Sequence, residues 1–589
     1  MRNGFHGHRS MTRQRMPAWI LGMLVCAAIA LGGSRAMAQQ GSAAISSDDA
    51  RAVLAQQELE IRQLREQIAN VQQGATVTPT AFGNADMSAA AADMAQPAAQ
   101  NPAGGDVVGS DTSMTATFKN GLFLWLETPN KDFTMHPGIF VHYDSVWVGS
   151  SNPAVTNPKG AYAGPAQGVA SGNTLGGMGT VQDGTEFRRI RPFLEGTYWE
   201  TGEYRLTLAL ANDQYGTVGL DEFWVGTKDI PVINTVRIGH VKEGLGLEGD
   251  MVPSSRCMTF MERSSYSQAI ELNQNFLTGA VFINDYLDQR MTSMFCLGRP
   301  DQAAQFGSYF GDGQGAAEFR LSGLPLYEDE GRHLLHIACS TGWRDGQSSG
   351  NNVNMVQLRT RPEILDDDPA GGAGGAADVP NGNGNRFLDT GYMVSNTEYI
   401  LATEMLYIRG PFSVQAEYGW NFVDGVTGTA TTLGGAVTPL PGGREDYVFN
   451  GGYLQLAYTL TGENRAYDKR TGALARAYYG DQGPYEKAFI TRGPDGTLNW
   501  GLGAWEIAVR YSYLDLNSGA GLNRIQGGEM DGLTVALNCY MNQNFNVMFD
   551  YVNDFRFDNP VVAAGAPTAA NTTANGAIQG FGIRAAVQF

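Results

Sequence analysis

GAWEIAVRYSYLDL, Gly503 to Leu516, decides the fold class. On a strand, Trp505, Ile507, Val509, Tyr511 and Tyr513 share one face, and Glu506, Arg510 and Ser512 share the other, because successive side chains alternate. An aromatic, apolar face backed by a face that carries arginine suits a strand with lipid on one side and a water-filled lumen on the other. The same pattern recurs along the chain. Tyr204, Leu206, Leu208 and Leu210 alternate with Arg205, Thr207 and Ala209. Phe412, Val414, Ala416 and Tyr418 alternate with Ser413, Gln415 and Glu417. Strand patterns also run through Tyr453 to Leu460, Leu533 to Met541 and Phe545 to Phe555. The last ten residues, GFGIRAAVQF, set Phe581, Ile583, Ala585, Val587 and Phe589 against Gly582, Arg584 and Gln588.

Composition agrees with this pattern. The chain has 589 residues, of which 76 are Gly, 10% are aromatic and only 17% are charged. That balance fits short strands, turns and aromatic girdles better than a helical enzyme. Residues 1–38 contain five Arg and no acid, an apolar run from Trp19 to Leu31, and the small-residue site Ala36-Met37-Ala38. The run is too short to span a bilayer, so this segment reads as a secretory signal peptide. Cys26 sits inside the apolar run, which disfavours a lipoprotein anchor. No later apolar run reaches the length of a transmembrane helix. The exported chain is therefore expected to be soluble outside the cytoplasm or a barrel. Cys257, Cys296, Cys339 and Cys539 form no Cys-x-x-Cys pair, so no zinc site is expected, and three disulfide connectivities stay open.

Ser47 to Gln73 is the one long helical pattern. Leu54, Ile61 and Ile68 recur at seven-residue spacing, with Leu64 and Val71 three places after two of them, which makes an a/d seam. Residues 39–73 are expected to form a short periplasmic coiled coil, or else a lone amphipathic helix. Residues 74–112, rich in Ala, Pro and Gly, read as a disordered spacer. Residues 113–589 are left for the barrel. Strand pairs with their loops at about 50–60 residues each give about 16–18 strands, enough to leave an aqueous channel. The expected fold class is all-β, a transmembrane antiparallel β-barrel preceded by that helix.

The central stretch RIGHVKEGLGLEGDMVPSSRCMTFMERSS, Arg237 to Ser265, starts as a strand and breaks into a Gly-rich segment. Gly244-x-Gly246-x-x-Gly249 matches a dinucleotide fingerprint, but no amphipathic helix follows to hold a pyrophosphate. Lys242-Glu243, Gly246-Leu247-Glu248, Ser254-Ser255-Arg256 and Thr259 to Arg263 instead resemble the central signature of the phosphate-selective porin O and P family. Further resemblances fall at Arg188-Arg189-x-Arg191, at the Gly323-Leu324-Pro325-Leu326-Tyr327 hairpin, at Phe387 to Gly391, at Gly410 to Trp420 and at Gly503 to Leu516.

The resemblance implies a trimeric outer-membrane barrel in which small hydrophilic solutes, preferentially anions such as phosphate, diffuse through a lumen narrowed by an inward-folded loop. Candidate pore-lining or anion-binding residues are Arg188, Arg189, Arg191, Arg205, Lys242, Ser254, Ser255, Arg256, Arg263, Arg510 and Arg584. Arg189 and Arg191 share a strand face. That face should be the lumen, since arginine in lipid costs about 2–4 kcal/mol at the midplane. A lumen arginine neutralised by Glu186, Glu195 or Glu203 would only satisfy the wall. The terminal Phe589 resembles the signal read by the barrel-assembly machinery. No cofactor, metal or nucleic-acid partner is expected. The formal charge of −19 and the acids interleaved in the central signature keep a general or cation-preferring pore open. The coiled coil also leaves room for a structural tether to peptidoglycan. An esterase elbow at Gly346-Gln347-Ser348-Ser349-Gly350 lacks the flanking strand and helix it needs. Arg344 to Arg386 reads as a long polar loop, with Asp366, Asp367 and Asp368 as an acidic knot.

Overall fold

The computed structural model describes residues 108–589 apart from 120–122, 152–182, 211–217, 243, 253–256, 272–275, 302–314, 349–352, 365–386, 431–434, 476–483, 493–494, 558–559, 562–571 and 574. The leader, the heptad helix and nearly all of the spacer lie outside these residues, as do Ser254, Ser255, Arg256 and the Asp366–Asp368 knot.

Eighteen strands make the main sheet. A short hairpin opens it, β1 (Thr115–Lys119) and β2 (Phe123–Glu127). Then follow β3 (Thr134–Ser150), β4 (Gly184–Tyr198), β5 (Gly202–Ala209), β6 (Gly219–Ile230), β7 (Asn234–Lys242), β8 (Phe276–Tyr286), β9 (Met291–Asp301), β10 (Ala316–Glu328) and β11 (His333–Asp345). The ring continues with β12 (Thr397–Arg409), β13 (Phe412–Val426), β14 (Glu445–Thr459), β15 (Ala504–Ser518), β16 (Ile525–Tyr540), β17 (Phe545–Phe557) and β18 (Gly576–Gln588). Every neighbour pair is antiparallel, and β18 pairs back onto β3 from Gln588 opposite Phe140 to Ile578 opposite Ser150. The sixteen strands β3 to β18 therefore close on themselves, and β2 only touches the start of β3. Closure leaves no sheet edge in the ring, as lipid demands of any spanning sheet. At the seam the Phe589 N–H donates to the Ile139 carbonyl at 3.1 Å, and the Ile139 N–H donates to that of Phe589 at 3.3 Å.

The alternation read from the sequence sorts the two faces. Ile507, Tyr511, Leu533, Val535, Leu537, Tyr551 and Phe581 are exposed on the outside, while Glu506, Arg510, Ser512, Thr534, Asn538, Asp550 and Arg584 are buried inside. An exposed apolar belt around a polar interior is what a lipid-embedded barrel requires.

One end of the barrel has short turns, such as 199–201, 231–233 and 410–411. The other carries the long connections, including 151–183, 243–275 and 346–396. One long connection departs from this arrangement. The segment 460–503, between β14 and β15, is long and sits at the short-turn end.

Three connections turn inward and fill part of the barrel. Residues 244–271, between β7 and β8, supply Leu245, Tyr266, Ala269 and Ile270 to an apolar core inside the lumen. The 346–396 connection adds Val356, Leu358, Ile364, Phe387, Leu388 and Met393 to the same core. The expectation of a polar loop from Arg344 is corrected here: Arg344 and Asp345 end β11, and the described part beyond them is packed through its apolar residues. From the opposite end, Tyr467–Asp468 and Ala473–Leu474 form a small hairpin. Its Ala473 and Leu474 pack against Leu247, Val252, Cys257 and Met258 of the first insert.

Candidate pore and constriction

The Gly-rich stretch between β7 and β8 does hold a carboxyl group, but the group belongs to the protein. The Leu247 and Glu248 N–H groups donate to the Glu417 carboxylate on β13, at 2.8 Å from Glu248. Tyr453 also donates its hydroxyl to that carboxylate. Successive backbone N–H groups in a turn form an anion-binding concavity. Gly246 has φ +71, and a Cβ there would meet the Glu271 carboxylate at 2.0 Å, so the turn needs glycine. The turn at Gly246–Met251 is followed by Val252 and not by a nucleotide-type helix.

Arg510, Arg584 and Arg263 hold this insert in place. Arg510 on β15 donates to Glu248 at 3.1 Å, to the Glu262 carbonyl at 3.0 Å and to Glu363 of the 346–396 insert at 2.6 Å. It also lies 4.5 Å from the centre of the Phe260 ring. Arg584 on β18 pairs with Asp144 at 2.6 Å and Glu262 at 2.8 Å. Both side chains are essentially inaccessible to water. Arg263 folds back on its own insert, donating to the Glu248 carbonyl at 2.8 Å and the Val252 carbonyl at 3.3 Å. Arg320–Glu404 and Arg344–Glu318 are further sealed pairs, on β10 to β12.

The wall made by β4 to β7 is different. Between Arg189, opposite His142, and Glu186, opposite Asp144, β4 holds two residues where β3 has only Tyr143. Of these two, Phe187 packs edge-on against Tyr143 on the outside, at 5.4 Å between ring centres. Arg188 instead turns inward, its Nε 2.9 Å from Glu262. Strict alternation gives a shared face only to Arg189 and Arg191; the bulge adds Arg188 to it. Below them come Arg205, paired with Glu195 at 2.7 Å and Glu222 at 2.9 Å, and Arg237, paired with Glu203 at 2.7 Å. Arg191 meets Asp221 at 3.1 Å. Lys242, at the long-loop end of β7, lies within electrostatic range of Asp221, Glu222, Arg191 and Arg263. In these pairs the arginine is the wetter member: 20% exposed for Arg191 against 2% for Asp221, and 24% for Arg237 against 11% for Glu203. Arg189 is the buried exception, its nearest hydrogen-bonding group being His142 Nδ1 at 3.4 Å.

The sequence of residues 173–561 matches the family model of phosphate-selective porin O and P. The chain belongs to that family. An uncharacterised protein of Caulobacter vibrioides is 26% identical over 367 residues, 60% of this chain and 59% of its own length. Porin O of Pseudomonas aeruginosa is 25% identical over 343 residues, 56% of this chain and 67% of its own. Among solved structures, OmpT of Vibrio cholerae aligns over 78% of this chain and 98% of its own with a TM-score of 0.40 at 10% identity. An anion-selective porin of Comamonas acidovorans aligns over 78% of this chain and 100% of its own, again at 0.40, with 9% identity.

The molecule has the closed barrel fold of the outer-membrane porin family. In barrels of this kind the short-turn end is periplasmic and the long loops are extracellular. Gln347–Ser348, within the Gly346–Gly350 stretch, is a two-residue strand paired with Met355 and Asn354. The described cysteines are thiols, and Cys257 donates to the Ala475 carbonyl at 2.9 Å. Sequence reasoning missed Arg237 and Asp221 on the wet wall, and named Glu203 only as a possible neutralising acid. Arg237 was in view as the first residue of the central stretch, and its strand position, two before Gly239, was the available signal.

Proposed function

We propose that the porin conducts small hydrophilic solutes along the β4–β7 wall, and that small oxyanions such as phosphate are preferred there. The observation that carries this reading is the asymmetry of the lumen. Arg188, Arg191, Arg205 and Arg237 keep contact with water on that wall, whereas Arg510 and Arg584 are spent on anchoring the inserts. A guanidinium facing water in front of a deeper carboxylate offers an oxyanion charge-assisted hydrogen bonds. The carboxylate behind weakens the hold enough for the ion to leave, which conduction requires. On this reading Arg510, Arg584 and Arg263 position the constriction and do not touch the solute. Trimeric assembly, aided by the heptads of residues 39–73, belongs to the same reading.

The pairing of these arginines with acids favours a second reading, a charge-balanced pore of weak selectivity. Zero-current potentials of the refolded porin in a potassium chloride gradient separate the two. The expected result is anion preference, reduced chloride current on adding phosphate, and a loss of preference of about twofold on Arg205→Gln, the scale of one unit charge near the path. Arg556→Gln, on the packed side, should leave selectivity unchanged. Cation preference in the unaltered porin, or chloride current indifferent to phosphate, would replace the oxyanion reading with the balanced one.

A further inference from the structure

The one long connection at the periplasmic end reaches across the barrel. It leaves β14, and β14 lies eight places from β6 in the sixteen-strand ring, half the circumference away. At the tip of its hairpin, Arg470 donates to Thr235 of β7 at 3.1 Å and approaches Glu203 of β5 at 3.5 Å. The hairpin is pinned along its length. The Arg320 guanidinium donates to the Gly472 carbonyl at 2.9 Å, Thr292 donates to the Lys469 carbonyl at 3.1 Å, and His336 meets the Tyr467 hydroxyl at 2.7 Å. Gly472 has φ +64, and a Cβ there would press on Ser322 Oγ at 2.3 Å, so the turn is shaped for close approach to the wall. Lys469 lies over the Tyr327 ring at 5.1 Å. Asp468 is used as the cap of the turn, accepting from the Arg470 N–H and the Thr471 hydroxyl, both at 2.9 Å.

We propose that this hairpin is a second filter at the periplasmic mouth and that Arg470 is its specificity-determining residue. Glu203 is already held by Arg237 at 2.7 Å, so Arg470 shares a carboxylate that is already paired. Lys228 also acts on that carboxylate. The local balance is therefore cationic. Arg470 is also the most exposed arginine of these pairs, at 36%. Its longer contact leaves it free to swing between Glu203 and a passing solute. It continues the line of Arg191, Arg205 and Arg237 to the periplasmic opening, from an element rooted in the opposite wall. The filter rests on the reading of the β4–β7 wall as the solute path, and it does not depend on which ion the porin prefers.

The test is Arg470→Cys in the refolded full-length porin, treated in planar bilayers with an anionic and then, separately, a cationic methanethiosulfonate reagent. The unaltered porin treated in the same way controls for its native thiols. The expected result is opposite shifts of the chloride-to-potassium permeability ratio, about twofold each way for one unit charge. Verified modification with no shift from either reagent overturns the filter. That outcome is distinct from failure of the oxyanion reading, because the sign difference between reagents is measured whatever the unaltered porin prefers. Should Arg470→Cys fail to assemble, the permeability ratio of Arg470→Gln tests the same residue. An unchanged ratio there overturns the filter, and a loss of about twofold supports it.

Discussion

Glu417 shows how a single side chain fixes the constriction. Its two oxygens accept the N–H groups of Leu247 and Glu248, so the glycine-rich turn is closed by an internal carboxyl group before any solute arrives. Glu417→Gln presents an amide donor to one of those N–H groups. A buried backbone donor left without a partner costs about 1–3 kcal/mol. The expected outcome is a barrel that still assembles but whose 244–271 insert becomes sensitive to protease. Limited proteolysis followed by mass spectrometry checks it, and unchanged resistance of the insert would show that Glu417 is not its clasp. Arg189, Arg191, Arg510 and Arg584 were legible in the sequence as facing the lumen, because parity along a strand is a local property. Their partners were not. Arg510 and Glu248 are 262 positions apart, and Arg584 and Asp144 are 440 apart. No local pattern encodes which carboxylate a folded loop will deliver to which wall.

At the scale of the element, the strands were readable and their irregularities were not. Alternation placed the lipid face of β15 and β18 correctly. In β4 the alternation breaks at the bulge opposite Tyr143, which turns Arg188 inward beside Arg189 and Arg191. Two adjacent arginines are a poor fit to any regular spanning strand, because one of them would face lipid. That conflict was the available signal for the bulge. Deleting Phe187 restores strict alternation and must turn either Arg188 or Glu186 outward. Arginine on the lipid face costs about 2–4 kcal/mol at the midplane. The deletion should lower the yield of folded, heat-modifiable barrel and its urea midpoint, whereas Phe187→Leu, which keeps the bulge, should not. Equal stability of the deletion and the parent would mean that the bulge does not set the facing of these charges. The resemblance implied one inward-folded loop, but that 346–396 also turns inward escaped the sequence reading for a different reason. Polar and glycine-rich stretches dominate 346–396, and the apolar residues Val356, Leu358 and Ile364 lie too far apart to show a period.

At the scale of the whole molecule, the lumen is divided. Inserts from both ends meet beside β10 to β12, and the proposed solute path runs along the β4–β7 wall. Their meeting point is specific: the Cys257 thiol donates to Ala475, and Arg465 donates to the Cys257 carbonyl at 2.8 Å. Around it, Leu247, Met258, Leu334, Leu406 and Leu474 make an apolar cluster inside what is otherwise a polar lumen. Burial of this kind holds two loops that no covalent bond joins, because separating them returns apolar surface to water. The consequence is testable through reactivity, since a thiol reacts only where reagent can reach it. In the folded porin Cys257 should resist a small maleimide that labels it fully in denaturant, with the site assigned by peptide mass spectrometry. Replacing residues 466–475 by a short Gly-Ser linker should expose it from the periplasmic side and raise single-channel conductance at the same time. Ready labelling of Cys257 in the intact porin would mean that the two inserts do not seal against each other, and the lumen would then have to conduct on both sides.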